Sequence, residues 1–174
     1  MTKEAIVQLL EEKHQNLYDW LANQSEENWM KGPKDKWTTG QHILHLSDSL
    51  EMLNKGLSYP KFILKSKFGV RNRDLRDYKT VSENYFSKLK ISQEKATTFN
   101  STLKTPSLSE RSKLITKLKT AQEKLQRKTS KWKDIDLDTY LLPHPLMGRM
   151  PIREIIMWTA CHTEHHTNTL KENY

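Results

Sequence analysis

Hydrophobic residues recur every three or four positions in several long segments of the chain, which is the period of an α-helix. The first segment covers residues 3–23 and places charged residues between the apolar ones. Its apolar residues are Ile6, Leu9, Leu10, Leu17 and Leu21. A second segment begins after Thr38 or Thr39 and runs to about Leu57. Its apolar stripe consists of Ile43, Leu46, Leu50, Leu53 and Leu57. Both patterns predict amphipathic helices that bury one face.

Two further helices are predicted in the second half of the chain. Ser107 and Ser109, followed by Glu110, are typical of a helix start. The apolar residues that continue from them in a near-heptad pattern are Leu114, Leu118, Ala121 and Leu125. Pro151 suits the first turn of a last helix, where its missing N–H costs nothing, and this helix is expected to end at about Asn173. Four substantial helices, with two long connections between them, favour an antiparallel helical bundle.

The segments between these helices carry weaker patterns. Residues 58–80 show no sustained period and are expected to form a long connection, followed by a short helix at 80–90. Residues 91–106 are rich in Ser, Thr and Asn and are expected to form a loop. Residues 133–150 contain Pro143, Pro145 and Gly148, which predict an irregular segment. No segment shows a strand pattern as strong as the helical ones, so the predicted fold class is all-α.

The composition narrows the class of protein. The chain has 174 residues, which suits a single domain covering residues 1–174. Only 35% of these residues are hydrophobic, a content that long helices with one apolar stripe each can tolerate. No apolar run approaches the ~20 residues of a membrane span, and the polar, acidic start is unlike a signal peptide. Because Cys161 is the single cysteine, the sequence predicts a cytoplasmic protein without internal disulfides.

The net charge of +8 is concentrated in the middle of the chain. Residues 55–80 hold eight basic and two acidic residues, and residues 104–133 hold ten basic and two acidic residues. A basic stretch can bind nucleic acid, but it can equally form the solvated face of a helix. This stretch lacks interleaved aromatic residues and any recognised nucleic-acid motif. The solvated face is therefore the favoured interpretation, and nucleic acid is not an expected partner.

The histidines carry the candidate chemistry. His162 and His166 are four residues apart in the last helix, so their side chains leave the same face one turn apart. Two imidazoles at that spacing can hold one divalent metal ion, although such a pair also occurs as a capping or surface pair. In the second helix, His42 and His45 lie beside the apolar stripe, and either could supply a third ligand across a bundle. Spacing alone leaves the metal site and the surface pair open.

The residues around these histidines have simpler interpretations. His165 points about 100° away from His166 and is expected to face solvent. His14 is expected to be an ordinary helix residue, and Cys161 a small buried side chain. The acidic residues near the histidines are Glu51, Glu154 and Glu164. Glu164 is expected to face solvent, and no spacing assigns a catalytic base.

Two blocks of the sequence resemble a known superfamily. WTTGQHILHL resembles the second-helix signature of the DinB/YfiT-like superfamily, in which a Trp and a hydroxyl residue are followed by a His eight positions after the Trp. In this sequence the pair is Trp37 and His45. HPLMGRMPIREIIMWTACHTEHHTNTL resembles the superfamily's C-terminal block, with a His-Pro, a Gly, a helix start and a His-x-x-x-His. The blocks occur in the order typical of the superfamily, about 115 residues apart.

The resemblance implies a fold and a set of ligands. The fold of the superfamily is a four-helix bundle with an up-down-down-up path, and its members resemble metalloproteins with three His ligands. Carried onto this sequence, the ligands are His45, His162 and His166. His42 is then expected to support a ligand or to gate the site. The loop that contains His144 is expected to be structural, with His144 a secondary candidate for reaching the site.

The resemblance also implies classes of activity. Relatives include thiol-dependent transferases that use bacillithiol, mycothiol or glutathione, a maleylpyruvate isomerase, and proteins assigned only as metal-dependent hydrolases. Imidazole ligands suit zinc or nickel, and iron is compatible with them. An ion held by three neutral imidazoles could activate either water or a low-molecular-weight thiol. We therefore expect a metal-dependent hydrolase or thiol S-transferase that acts on a small molecule. The alternative is a non-catalytic bundle that binds a metal or a ligand.

A homodimer is also expected, partly from the resemblance. The connection at 58–80 carries the large apolar residues Tyr59, Phe62, Ile63, Leu64 and Phe68. That much apolar area must pack either on its own bundle or on a partner. The sequence leaves both arrangements open.

Overall fold

The computed structural model describes residues 1–34, 36–92 and 103–174 and is mostly helical. Its α-helices are α1 (Lys3–Ala22), α2 (Thr39–Gly56), α3 (Lys61–Phe68), α4 (Tyr78–Ile91), α5 (Arg111–Lys131), α6 (Asp134–Thr139) and α7 (Ile152–Asn173). Two short 3₁₀ turns cover Glu26–Trp29 and Leu108–Glu110. Two strands, β1 (Leu141–His144) and β2 (Gly148–Pro151), form a small antiparallel sheet. None of the helices in these described ranges combines the length and the apolar character that crossing a membrane requires.

The four long helices α1, α2, α5 and α7 enclose the main hydrophobic core. Helix α1 packs on α7 and α5, and α2 packs on α5 and α7, so each long helix has two long neighbours. Their apolar faces supply fully buried side chains such as Leu10, Leu50, Leu118 and Ile156. The predicted bounds of α1 and α2 are confirmed to within a residue. The helix start expected at Ser107 is confirmed, since Ser107 caps the 3₁₀ turn Leu108–Glu110. Helix α5 itself begins directly after this turn, at Arg111.

The N-terminus of α2 is fixed by a reciprocal cap that bears directly on the histidines. The Thr38 side chain accepts a hydrogen bond from the Gln41 backbone N–H, and the Gln41 side chain accepts one from the Thr38 N–H. Two otherwise unpaired helix donors are thereby satisfied. Because this cap sets where the helix begins, it also sets the rotation at which His42 and His45 leave α2.

The segment 133–150 was predicted to be irregular, and this prediction is wrong. It contains α6 and most of the hairpin formed by β1 and β2, in which Leu142 pairs with Met150 and His144 with Gly148. Gly148 has a φ of 74°, a conformation that glycine adopts without strain and that lets the chain reverse tightly. Proline has no backbone N–H to donate to a neighbouring strand. Pro143 is tolerated because both strands of a two-stranded sheet are edge strands. Pro151 is the last residue of β2 and immediately precedes α7, rather than lying in the first turn of that helix.

The connection at 58–80 is also more ordered than the sequence predicts. It contains α3, whose Leu64 is fully buried while Phe62 remains largely exposed. The segment therefore packs much of its apolar area on its own chain. The short helix expected at 80–90 is confirmed as α4, with Asp77 capping its first turn. Most of the loop expected at 91–106 lies outside the described residues.

The segment before α4 is held to α7 by a buried ion pair. Glu154 is fully buried, and its carboxylate accepts two hydrogen bonds from the Arg73 guanidinium, at 2.7 and 2.6 Å. The same carboxylate accepts the backbone N–H of Arg76 at 2.9 Å. The sequence assigned no role to Glu154, whereas the structure shows that it ties residues 73–76 to the first turn of α7.

His14 lies between α1 and α7 and is completely buried. Its Nδ1 is 2.8 Å from the Leu10 carbonyl oxygen, to which it donates, and its Nε2 is 3.3 Å from the Thr163 hydroxyl. Burial lowers the pKa of His14 to about 4. The expectation of an ordinary helix residue is therefore wrong, because this imidazole is a neutral part of the core.

His14 predicts a pH dependence of stability. Its pKa is about 4 in the folded chain but about 6.5 in an unfolded one, so between these values the unfolded chain binds a proton that the folded chain does not. The free energy of unfolding should therefore fall as the pH decreases from about 6.5 to about 4, by up to about 3 kcal/mol. Above this range His14 should contribute no pH dependence.

The variant His14→Leu should lose this part of the pH dependence. Denaturant unfolding of both proteins, in the presence of a chelator and between pH 4 and pH 7, measures the difference. The other histidines are common to both proteins, so their contributions cancel in the comparison. Equal slopes in the two proteins would show that His14 takes up its proton at the same pH whether folded or unfolded.

Candidate metal centre

Three histidine side chains from two helices meet in the interior. His45 comes from α2, and His162 and His166 come from successive turns of α7. The Nε2 atom of His162 lies 3.0 Å from the Nε2 of His45 and 3.0 Å from the Nε2 of His166. One nitrogen atom from each ring lies within 4.8 Å of the other two. The structure thus brings together the three residues that the resemblance implied.

Local structure explains why these rings face one another. The spacing of four residues puts His162 and His166 on the same face of α7. His45 precedes Leu46, which is buried in the core, so the ring leaves α2 at the edge of its apolar stripe. His162 and His166 are nearly fully buried, at 3% and 7% exposure, and His45 is half-buried. The cluster therefore has a buried base and a more open side at His45.

All three imidazoles are held in their neutral form. Burial lowers the pKa of His45 to about 4, and it lowers the pKa of both His162 and His166 well below 6.5. Neighbouring histidines add to this effect, because a second positive charge so close to the first is repelled. A neutral imidazole keeps a lone pair on one nitrogen, which is the form that binds a metal ion.

The spacing of the nitrogen atoms fits a small divalent ion. Zinc–imidazole bonds of about 2.0–2.1 Å in a tetrahedral site place two ligand nitrogens about 3.3 Å apart. The two Nε2 separations of 3.0 Å are close to that value, and all three ligand nitrogens lie within 4.8 Å of one another. Three protein ligands would leave further coordination positions for another molecule.

A fourth histidine, His42, contacts the cluster through His166. The Nδ1 of His42 lies 2.8 Å from the Nδ1 of His166, the nitrogen that faces away from the other two rings. His42 is 5% exposed, and burial, followed by the charges of His45 and His165, lowers its pKa to about 3. Of the two roles expected for His42, this position matches the support of a ligand.

Two tryptophans flank the histidines. The Trp37 ring is stacked on His166, with ring centroids 5.8 Å apart and an angle of 13° between the planes. The Trp158 ring is stacked on His162, at 4.6 Å and 18°. Trp37 belongs to the motif that carried the resemblance, but sequence reasoning missed Trp158. Its spacing of four residues before His162 was the signal that could have found it.

His144 does not join the cluster. Its Nδ1 accepts hydrogen bonds from the backbone N–H groups of Leu146 and Met147, both at 3.1 Å, and these bonds close the hairpin turn. Its ring packs edge-on against Trp158, with centroids 4.2 Å apart. The expected structural role is thus seen in the turn. His144 contacts Trp158 and Tyr85, and both of these rings contact His162.

His165 and Cys161 fall on other faces of α7. His165 is half-buried against Tyr85 and Phe86 of α4, with ring centroids 6.2 and 5.5 Å away. The expectation that it faces solvent is wrong because α4 covers this face of the helix. Cys161 is buried, as expected, and burial raises the pKa of its thiol.

The nearby acidic residues are each paired with a cation. Glu164 lies 2.9 Å from the Lys13 ammonium and accepts a hydrogen bond from Tyr78, and its side chain remains 40% exposed, as expected of a residue that faces solvent. Glu51 lies 3.1 Å from Lys117. Within the described residues, the cluster able to hold a metal ion consists of histidines alone. Among the residues that the structure describes, no contact assigns a carboxylate as a catalytic base.

Comparison with known proteins identifies the family. The DinB superfamily matches residues 5–170 of the 174 residues, which includes all three histidines of the cluster. No curated protein and no solved structure matches the chain. The match spans nearly the whole sequence and agrees with the two blocks that resembled this superfamily. The chain therefore belongs to the DinB superfamily.

Proposed function

We propose that the protein is a metal-dependent enzyme in which His45, His162 and His166 bind one divalent ion. The observation that carries the proposal is the convergence of their three Nε2 atoms, with two separations of 3.0 Å. Zinc and nickel suit this set of neutral nitrogen ligands best, and iron is compatible with it. Membership of the DinB superfamily supports the same interpretation.

The proposed chemistry is the activation of water or of a low-molecular-weight thiol. An ion bound by three neutral ligands keeps its full positive charge and lowers the pKa of a water or thiol beside it. The protein supplies the neutral imidazoles, because burial keeps all three unprotonated near pH 7. Trp37 and Trp158 cover the faces of two of these rings and limit the access of bulk water to them.

The proposed reaction is a hydrolysis or a thiol transfer on a small-molecule substrate. Both begin with a nucleophile that must lose a proton. The histidine cluster contains no carboxylate that could take up this proton, and the named acidic residues are paired with cations. A thiol needs less help than water to ionise, since its pKa is already about 8.5. The first step is therefore easier for a thiol than for water, and both reactions remain in the proposal.

Metal analysis and activity assays test this proposal on untagged protein. We expect about one zinc or nickel ion per chain after metal supplementation, measured by elemental analysis. We also expect turnover with bacillithiol, mycothiol or glutathione and an electrophilic substrate, and this turnover should disappear on chelation. Ester and amide substrates without a thiol test hydrolysis in parallel.

The outcomes separate the candidate functions. Protein that binds no divalent ion after supplementation would rule out the enzyme. Metal binding that raises the melting temperature, without turnover in either panel, would show the non-catalytic metal-binding bundle instead. We further propose an up-down-down-up bundle, a homodimer and a cytoplasmic location. The packing of each long helix on two long neighbours supports a four-helix bundle, and light scattering tests the homodimer.

A further inference from the structure

Each ring nitrogen of His166 lies within hydrogen-bonding distance of another histidine. Its Nε2 lies 3.0 Å from the Nε2 of His162, and its Nδ1 lies 2.8 Å from the Nδ1 of His42. Both His42 and His166 are nearly fully buried, at 5% and 7% exposure. The contact with His42 is therefore a hydrogen bond between two rings that water cannot readily replace.

The position of the hydrogen atom in this bond follows from the metal site. Two nitrogens 2.8 Å apart must share one hydrogen, because two lone pairs or two N–H groups would repel each other. If His166 gives the lone pair of Nε2 to a metal ion, its own hydrogen must sit on Nδ1. His166 then donates to the Nδ1 of His42. His42 must be the acceptor and must carry its hydrogen on Nε2.

We infer that His42 is a positioning residue, which accepts a hydrogen bond from His166 and so keeps the Nε2 of His166 free to bind the metal. This inference rests on the proposed function. Metal-bound histidines commonly donate their other N–H to a carboxylate or a carbonyl, which fixes the ring and makes it more basic. A neutral imidazole fixes the ring in the same way but adds no negative charge. The bound ion therefore remains more electrophilic than it would beside a carboxylate.

The surroundings of His42 hold it in place for this task. It lies three residues before His45, so the same turn of α2 carries a proposed ligand and the support of another. The rings of Trp37 and Tyr174 pack edge-on against the His42 ring, with centroids 5.3 and 6.2 Å away. The hydroxyl of Tyr174 also donates to the Trp37 backbone carbonyl, which links the C-terminal end of α7 to this wall of the site.

Two substitutions distinguish hydrogen bonding from packing. His42→Phe keeps a planar ring but removes the acceptor, whereas His42→Asn can place its amide oxygen where Nδ1 now lies. Zinc affinity is measured by competition with a chromophoric chelator. We expect a loss of about 10–100-fold for His42→Phe, as is typical when the partner of a ligand is removed, and a clearly smaller loss for His42→Asn. His165→Phe is the matched control, since His165 lies outside the cluster, and it should bind zinc like the wild type.

Nitrogen-15 NMR of the zinc-loaded wild-type protein tests the inference without any variant. We expect His166 to carry its hydrogen on Nδ1 and His42 to carry its hydrogen on Nε2. A hydrogen on the Nδ1 of His42, or equal zinc affinities for wild type and His42→Phe, would overturn the inference while leaving the metal site standing. Equal losses for the Phe and Asn variants would also overturn it in favour of packing. Wild-type protein that binds none of zinc, nickel or iron would instead remove the proposed function.

Discussion

Substituting His162→Ala should abolish tight metal binding while leaving the helical fold intact. His162 is at the centre of the cluster, because its Nε2 contacts both other Nε2 atoms at 3.0 Å. Its removal leaves only the Nε2 atoms of His45 on α2 and His166 on α7 as ligands. The loss of affinity should exceed the about 10–100-fold that is typical for removing a residue beside a ligand. Competition with a chelator measures this affinity, and circular dichroism checks the fold.

Thermal unfolding gives a second measure of the same substitution. Zinc at about 100 times its dissociation constant should stabilise the wild-type protein by about 2.7 kcal/mol. For a chain of this size, that corresponds to a rise in melting temperature of about 5–10 °C. The rise should be absent in His162→Ala and present in His165→Ala, which removes a neighbouring histidine outside the cluster. A variant His162→Ala that binds and responds to zinc like the wild type would contradict the proposed ligand set.

The long helices could be predicted from the sequence because each carries its pattern over three or more turns. Leu46, Leu50 and Leu53 repeat at helical spacing and are all buried in the core. The capping pair of Thr38 and Gln41 marks the start of α2 within the sequence itself. In these segments local preference and core packing favour the same structure, so periodicity alone locates the elements.

The short elements could not be predicted because contacts distant in sequence stabilise them. Strands of four residues are too short to show alternation. Leu142 of β1 packs against Gly56 of α2 so closely that a Cβ atom at Gly56 would lie 3.0 Å from the Leu142 side chain. Helix α3 is similarly short, and it is held by the burial of Leu64. None of these contacts has a signature in the local pattern of either segment.

The candidate site was predicted in part from spacing and in part from resemblance. Spacing selected His162 and His166 but left His42 and His45 as equal candidates on α2. The two lie close together, and only the family motif favoured His45. The structure explains the ambiguity, since both rings reach His166: His42 contacts its Nδ1, and the His45 ring lies 5.1 Å from its centroid. The contribution of Trp158 depends on how its ring stacks on His162, which spacing does not specify.

The net charge of +8 proved less informative than the neutral histidines. Part of the basic stretch at 104–133 has a structural partner, because Lys117 of α5 lies 3.0 Å from Asp48 and 3.1 Å from Glu51 of α2. These contacts join two long helices at the surface. They account for one of the ten basic residues in this stretch, and the solvated helix face stays a prediction.

Substituting Arg73→Ala should destabilise the protein by about 3–5 kcal/mol, because it leaves a buried carboxylate without its cation. The Glu154 side chain is fully buried, whereas the Arg73 side chain is 31% exposed. After the substitution, Glu154 would keep one backbone hydrogen bond, from Arg76. Denaturant unfolding of the metal-free protein measures the loss, which corresponds to a decrease of about 10 °C in melting temperature.

A double-mutant cycle tests whether the unpaired charge is the cause. Adding Glu154→Leu to Arg73→Ala removes the stranded carboxylate, so the double variant should be more stable than Arg73→Ala alone. The exposed pair of Lys31 and Glu27, with side chains 70% and 77% exposed, is the matched control. Substituting Glu27→Ala should lower the free energy of unfolding far less than Arg73→Ala does. If Arg73→Ala lowered the free energy of unfolding as little as Glu27→Ala, the ion pair of Arg73 and Glu154 would not be what holds residues 73–76 to α7.

The same substitution should loosen one particular part of the chain, because of where Glu154 lies. Its carboxylate ties residues 73–76 to the start of α7, and α4 begins directly afterwards at Tyr78. Helix α4 carries Tyr85, whose ring packs edge-on against His162 with centroids 6.1 Å apart. Hydrogen exchange in Arg73→Ala should therefore increase first at residues 73–78, before α1 and α5 are affected. Uniform protection across the chain would show instead that this segment unfolds only together with the core.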